Sequence, residues 1–276
     1  VNALCEYLYV EAIHEGCEFR KKFVRGSSWG RLSTKESQKS DFFSITLLPD
    51  DEIFHHQDQE GNAKPVELSQ KAFSSLLRQT AYLNRRRKFS LKDYRPMADI
   101  ESEVFQFNDG IAQYALYLNE DRRILHEQPI YFATTVDQVF IECALQWTDL
   151  YSKSVYSFVN GVSTLEGGTH VSGFSSGTRR TLIEYGRELN LIDENEMMLY
   201  FDDFAEGLTA IINVRMEGAE LTGKTLEYLS NSKVQEIAQT LVSDGLWDWL
   251  KENPEAAELI VRKGLHTADY NRKHGR

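Results

Sequence analysis

Apolar and polar positions alternate from the start of the chain. Leu4, Glu6, Leu8 and Val10 fall on one side and Cys5, Tyr7, Tyr9 and Glu11 on the other, a period of two that predicts a strand. His14-Glu15-Gly16 reads as a turn, and Phe19 to Val24 predicts the returning strand. Residues 26–41 are polar, carry Gly, Ser and Lys, and read as a surface loop. Phe42 to Leu48 predicts an apolar strand that Pro49-Asp50-Asp51 ends, because proline has no N–H for a ladder. Residues 55–66 are polar again. The period then lengthens: Phe73, Leu76, Leu77 and Ala81 share one face of a helix over 69–84, with Ser69 as its cap. Arg85-Arg86-Arg87-Lys88 follows, then a short strand to Lys92. Asn108 or Asp109 can cap a second helix striped by Ile111, Ala115 and Leu118.

The texture changes near residue 128. Val139, Ile141, Cys143, Leu145 and Trp147 line one face of a long strand, and Val155, Ser157 and Val159 belong to the next, which ends at the turn signal Asn160-Gly161. Glu166-Gly167-Gly168-Thr169 leads into a helix striped by Val171, Phe174, Leu182, Tyr185 and Leu189. A strand through Leu208, Ala210, Ile212, Val214 and Met216 follows, then a loop and a long helix carrying Val234, Ile237, Ala238 and Leu241. Asn253-Pro254 stops that helix and opens a last one, with proline at its first position. Strand, strand, helix, strand, helix predicts an α/β or α+β second half with a crossover connection. The expected domain boundary lies at about 127.

At 276 residues the chain is long enough for two domains. Lys+Arg 31 against Asp+Glu 42 gives a formal charge of −11, which excludes a general polyanion binder and leaves nucleic acid only a local basic patch. Cys5, Cys17 and Cys143 have neither disulfide nor metal spacing, so a reducing cytoplasm is the expected compartment. No apolar run approaches the length of a membrane span, and no secretory leader is read at Val1.

Gly218-Ala-Glu-Leu-Thr-Gly223-Lys224-Thr225 matches G-x-x-x-x-G-K-[ST] between an expected strand and an expected helix. Such a loop offers backbone N–H groups and a lysine to phosphates. Only 51 residues follow Thr225, with no further strand to carry a Mg²⁺-holding acid, which counts against an independent NTPase. Arg85, Arg86, Arg87 and Lys88 form the main basic cluster, readable as a DNA contact or a solvated turn. Arg262, Lys263, Arg272, Lys273 and Arg276 are a second set with the same two readings. His170 is a candidate base, but no nucleophile signature accompanies it, and a helix-entry histidine bonded to backbone is the plainer reading. His55 and His56 are adjacent and diverge on an extended segment, which disfavours a metal site. Trp247 and Trp249 read as packing anchors.

Several segments, in order, resemble the B subunit of the bacterial type IIA DNA topoisomerases, gyrase and topoisomerase IV. Val1-Asn2-Ala3-Leu4 is similar to the stretch after the family's ATP lid. Leu47-Leu48-Pro49-Asp50 with Glu52-Ile53-Phe54 resembles its F-x-P-D and E-I-F, and Ala81-Tyr82-Leu83-Asn84 its A-F-L-N. Ala144-Leu145-Gln146-Trp147, Phe158-Val159-Asn160, Glu166-Gly167-Gly168-Thr169-His170-Val171-Ser172-Gly173-Phe174 and Glu206-Gly207-Leu208-Thr209-Ala210 resemble A-L-Q-W, F-x-N, D-G-G-T-H-x-x-G-F and E-G-L-T-A.

The resemblance implies an α+β chain: residues 1–127 as the trailing part of a GHKL (Bergerat-type) ATPase α/β sandwich, and 128–276 as a transducer domain, a βαβ unit like the second domain of ribosomal protein S5. It implies ATP and Mg²⁺ as cofactors of the intact enzyme. It implies a second B subunit, the topoisomerase A subunit and double-stranded DNA as partners. It places Arg20, Phe43 and Ile45 with Gly223, Lys224 and Thr225 at the nucleotide. The family's general-base Glu, Mg²⁺-holding Asn and adenine-binding motif fall upstream of Val1, so no catalytic residue or metal ligand is expected here. Three positions depart from the pattern. Leu226 stands where the transducer loop's phosphate-sensing lysine is expected, with Lys224 two residues earlier. Phe42-Phe43 replaces Gly-Thr in the adenine strand, and Ala205 replaces the Arg of D-x-R-E-G-L. Two rivals stand beside the topoisomerase reading: a divergent, non-catalytic dimerisation or interaction module, and an independent NTPase on Gly218–Thr225.

Overall fold

Strand β1 (Cys5–His14) is central to the first sheet, whose order is β3-β2-β1-β4, with β2 Cys17–Val24, β3 Ser27–Glu36 and β4 Phe42–Pro49, all pairs antiparallel. Glu15 and Gly16 turn β1 into β2 with φ of +48° and +75°, and Arg25 and Gly26 turn β2 into β3 with φ of +45° and +80°. These are two-residue hairpin turns whose twist matches the strands they join. The expected loop over 26–41 is therefore mostly a strand. It reads as a loop because it is an exposed edge that buries neither face, so no apolar alternation marks it.

Two short strands, β5 (His55–Gln57) and β6 (Ala63–Pro65), pair with each other. The computed structural model describes residues 1–57, 63–65, 68–95, 102–193 and 199–274, and its contacts separate a unit Val1–Ser69 from a unit Gln70–Arg276.

In the second unit, α1 (Gln70–Leu83), the hairpin β7 (Phe89–Lys92) and β8 (Ser102–Phe105), and α2 (Ile111–Leu118) precede a five-stranded sheet. Its order is β12-β11-β14-β10-β9, built from β9 Ile130–Val136, β10 Val139–Trp147, β11 Ser154–Val159, β12 Val162–Ser163 and β14 Leu208–Arg215. β13 (Gly167–Gly168) leads into α3 (Thr169–Glu188), and α4 is the short helix Phe201–Phe204. β11 and β14 run parallel with α3 in the connection between them, and the other pairs are antiparallel. The strand-helix-strand crossover expected from the sequence is thus present in a mixed, α+β sheet. β15 (Leu221–Thr222), β16 (Tyr228–Leu229), α5 (Ser232–Glu252) and α6 (Pro254–Lys273) complete the chain.

Both faces of this sheet are covered. On one, Ile141, Cys143, Leu145 and Trp147 pack with Phe174 and Leu182 of α3 and Val234, Ala238 and Val242 of α5. On the other, Ala144, Phe158 and Ile211 meet Tyr82, Leu83, Ile111, Tyr114 and Ala115. Tyr82 stacks on Phe107 at 3.7 Å and on Tyr114 at 4.8 Å between ring centroids. Residues 70–118 belong by packing with the sheet beyond them. Neither Asn108 nor Asp109 caps α2: the position is Gly110 at φ +58°, which leaves room for the Arg85 side chain. Trp247 and Trp249 are packing residues, on Tyr185 and His126 respectively.

Candidate functional site

The G-x-x-x-x-G-K-T segment does not form a strand-to-helix phosphate loop. Leu221-Thr222 pairs antiparallel with Tyr228-Leu229, so Gly223 to Glu227 is the tip of a hairpin, and α5 starts only at Ser232. Asn231 ties down the base of this segment: its Nδ2 donates to the Gly218 carbonyl (3.2 Å) and its Oδ1 accepts from the Glu220 N–H (2.8 Å). At the tip, Gly223 has φ +91° and Leu226 φ +58°, and the Thr225 hydroxyl donates to Glu227 (2.7 Å). The independent NTPase reading therefore lacks its expected local structure: no helix N-terminus follows Lys224 to aim N–H groups at a phosphate.

The Lys224 side chain is exposed and has no partner among the described residues. Leu226 is also exposed. A carboxylate that the motif alone does not reveal sits against the tip: Glu166 Oε2 lies 2.5 Å from where a Cβ on Gly223 would be. The chemistry on offer is one exposed cation for a phosphate oxygen, next in sequence to the glycine against which the Glu166 carboxylate lies.

The other expected nucleotide residues lie on the first sheet. Strand register puts Phe43 opposite Ala12 and Ile45 opposite Val10 on one face, whereas Arg20 stands opposite Glu11 on the other. Arg20 is committed to Glu11 (2.6 Å) and to Glu18 (2.7 Å), which is buried and also held by Lys35 (2.6 Å). A buried carboxylate needs such partners. Phe43, at 66% exposure, extends an apolar surface through Ile45 and Leu47. The sheet thus does not bring Arg20 together with Phe43 and Ile45.

The main basic cluster divides in two. Arg85 is anchored: Nε donates to the Asn108 carbonyl (3.3 Å), Nη1 donates to the Tyr131 hydroxyl (3.3 Å), and the guanidinium lies over the Tyr131 ring. Arg86, Arg87 and Lys88 are exposed, without side-chain partners among the described residues. In the second basic set, Arg262 pairs with Glu258 and Arg272 with Asp269, while Lys263 Nζ donates to the Thr148 and Leu150 carbonyls (2.6 Å each). Arg276 lies outside the described residues.

His170 is fully buried, and its Nε2 meets the Thr164 hydroxyl at 3.1 Å, with Ser157 Oγ 2.7 Å further on. Its partner is thus a side chain, not the expected backbone group. Burial pushes its pKa down to about 4. The Ser-Thr-His chain has no solvent-facing member that a substrate could reach. His55 Nδ1 lies 3.2 Å from the Asp51 carbonyl, and the His56 side chain is outside the described residues.

A second feature escaped the sequence reading. Glu142, 1% exposed, accepts from Asn213 Nδ2 (2.8 Å) and from the Tyr131 hydroxyl (2.9 Å), and Arg215 Nη2 stands 3.8 Å away. Burial, then Glu142, pushes the Tyr131 hydroxyl up to about 12. The signal was present as one acid in an otherwise apolar strand.

Among the described residues, no group of three or more His, Cys, Asp or Glu is placed to hold a metal ion. Mg²⁺ prefers several oxygen ligands; at the hairpin tip the carboxylates are Glu227, held by the Thr225 hydroxyl, and Glu166, and no third His, Cys, Asp or Glu joins them among the described residues. A terminal phosphate fits Lys224 alone. No helix among the described residues is long and apolar enough to cross a membrane.

The fold of this chain has solved counterparts among ATPase domains of bacterial topoisomerases. The 43K ATPase domain of Thermus thermophilus gyrase B, solved with an aminocoumarin, is similar over 100% of this chain and 72% of that one, with a TM-score of 0.76 and 28% identity. The topoisomerase IV ATP-binding domain of Francisella tularensis, solved with a small-molecule inhibitor, shares the fold with a TM-score of 0.81 at 23% identity, over 98% and 71% of the two chains.

The chain belongs to the DNA gyrase B family, whose model matches residues 110–275. The DNA gyrase B protein of Halalkalibacterium halodurans is 34% identical over 265 residues, which are 96% of this chain and 40% of that protein. The chain spans about two fifths of the length of the curated relatives it matches.

Proposed function

We propose that this chain is the coupling segment of an ATP-dependent type IIA DNA topoisomerase B subunit. Residues 1–127 continue a GHKL ATPase domain and residues 128–276 form its transducer. Its work is to sense a triphosphate gripped by another stretch of protein and to pass that state on to DNA strand passage. The observation that carries this reading is Lys224. It is an unpartnered cation on a hairpin tip whose base Asn231 anchors to the start of α5. A phosphate bound there would favour one position of the hairpin, and only such differential contact shifts a conformational equilibrium. ATP and Mg²⁺ belong to the intact enzyme, as do a second B subunit, the A subunit and duplex DNA. Lys224 would hold the terminal phosphate, and the metal would be held by residues elsewhere.

A second reading, a divergent module that docks on topoisomerase partners without nucleotide, is favoured by three features. Glu166 crowds the hairpin tip, Leu226 occupies the expected lysine position, and Phe43 presents a phenyl ring on the adenine strand. Equilibrium binding of a non-hydrolysable ATP analogue to the full-length gene product separates the two. Mg²⁺-dependent binding supports the coupling role, and none at millimolar analogue supports the docking module.

The purified chain by itself is expected to show no Mg²⁺-dependent ATP turnover above background, because among the described residues no general base stands beside Lys224 to orient water against a phosphate. Steady phosphate release by this chain, abolished in Lys224→Ala, would overturn that and revive the independent NTPase.

A further inference from the structure

We infer that the turn Arg86-Arg87-Lys88 is a preformed contact for the phosphodiester backbone of duplex DNA. The inference takes its ligand from the topoisomerase reading but does not need nucleotide to be sensed.

Three observations carry it. Several surface cations of this acidic chain are neutralised by neighbouring carboxylates: Arg25 by Asp50 and Glu52, Arg180 by Glu184, Lys233 by Asp137, Arg262 by Glu258. Arg86, Arg87 and Lys88 are consecutive and exposed, and none has a carboxylate partner among the described residues.

The backbone beneath them is fixed. The Arg86 N–H donates to the Phe107 carbonyl (2.9 Å), Gln106 Nε2 donates to the Arg86 carbonyl (3.1 Å), and the Arg87 N–H donates to the Asn84 carbonyl (3.1 Å). Arg86 is held at φ +63°, a left-handed conformation that costs a non-glycine residue free energy and persists only where its surroundings impose it.

Finally, Arg85 is spent on holding the turn. Its bonds to Asn108 and Tyr131 join the end of α1 to strand β9, so the three cations stand on a rigid base. Three adjacent positive side chains repel one another, and a polyanion with regularly spaced phosphates relieves that repulsion while releasing its own counterions. Arginine adds two-pronged hydrogen bonding to phosphate oxygens.

The test is fluorescence anisotropy of a labelled 20-base-pair duplex titrated with the full chain over a series of salt concentrations, without nucleotide. The wild type is expected to bind at low salt, with log K falling linearly against log salt. Arg86→Ala/Arg87→Ala/Lys88→Ala is expected to reduce that slope by about 2 to 3 and to weaken low-salt binding at least tenfold, each lost phosphate contact removing about 0.9 from the slope. Arg86→Lys/Arg87→Lys should retain most of the slope. Arg262→Ala/Arg272→Ala should leave it unchanged, because those cations are already paired. An unchanged slope in the triple variant, with unaltered circular dichroism, overturns the inference, as does absence of wild-type binding at 50 mM salt. Either result leaves the triphosphate reading untouched, since no nucleotide is present.

Discussion

Gly173→Ala is expected to lower the unfolding free energy by about 2 kcal/mol or more, although alanine is the better helix former by about 1 kcal/mol. Gly173 lies where α3 packs against α5. A Cβ there would be 2.2 Å from the Gln235 carbonyl oxygen and 2.8 Å from the Ala238 Cβ. The first of these is backbone and cannot rotate away, so the two helices would have to separate. That separation would loosen Phe174 and Leu182 against Val234, Ala238 and Val242, the buried layer on this face of the sheet. Gly177→Ala, with the Gln239 carbonyl at 2.8 Å, should act in the same direction but less strongly. Urea unfolding decides it: the midpoint should fall with little change in slope. A midpoint at or above the wild-type value would mean that α3 and α5 do not approach as described.

Stability should also fall steeply as the solution is acidified from pH 6.5 toward pH 4, with His170 a main contributor. In the folded chain its imidazole is buried and holds no proton until about pH 4. In the unfolded chain it takes one up near 6.5. Between these values the unfolded state binds more protons, so stability drops as pH falls. The full contribution is present above pH 6.5 and exhausted near pH 4, a loss of up to roughly 3 kcal/mol. Burial lowers His126 in the same direction. Its Nε2 accepts the Trp147 N–H (3.0 Å), a bond that protonation would abolish. Denaturant midpoints measured against pH for wild type and His170→Gln give the test. The difference between the two curves should be pH-dependent only below about 6.5. Parallel curves would mean that His170 is not buried as a neutral ring.

The long elements were legible because burial writes a period into the sequence. Val139 to Trp147 and the stripe of α3 could be read directly, since the face they turn to the larger core carries the large apolar side chains, while the other face of the strand carries Glu142, Ala144 and Gln146. β3 could not be read, because a polar edge strand with both faces exposed has no alternation. The hairpin of residues 221–229 was misread as a strand-to-helix loop: its strands are two residues each, too short for any period, and the glycine-lysine spacing suggested a helix that starts only at Ser232. At the candidate site, residue types were legible and roles were not. Arg85 and Arg86 are indistinguishable in sequence, yet one braces Tyr131 and the other faces water. Arg20 was placed at a nucleotide by the family resemblance alone. The structure gives it to a buried glutamate, a pairing that depends on the strand register of β1 with β2.

Lys224 is proposed to feel a triphosphate held by other residues. The most direct test is the affinity of the full-length gene product for a non-hydrolysable ATP analogue with Mg²⁺, compared with that of Lys224→Ala. A charge-assisted hydrogen bond of about 1.5–3 kcal/mol corresponds to a loss of ten- to roughly a hundredfold in affinity, and Leu226→Ala should bind as the wild type does. Equal affinity in wild type and Lys224→Ala would contradict the account.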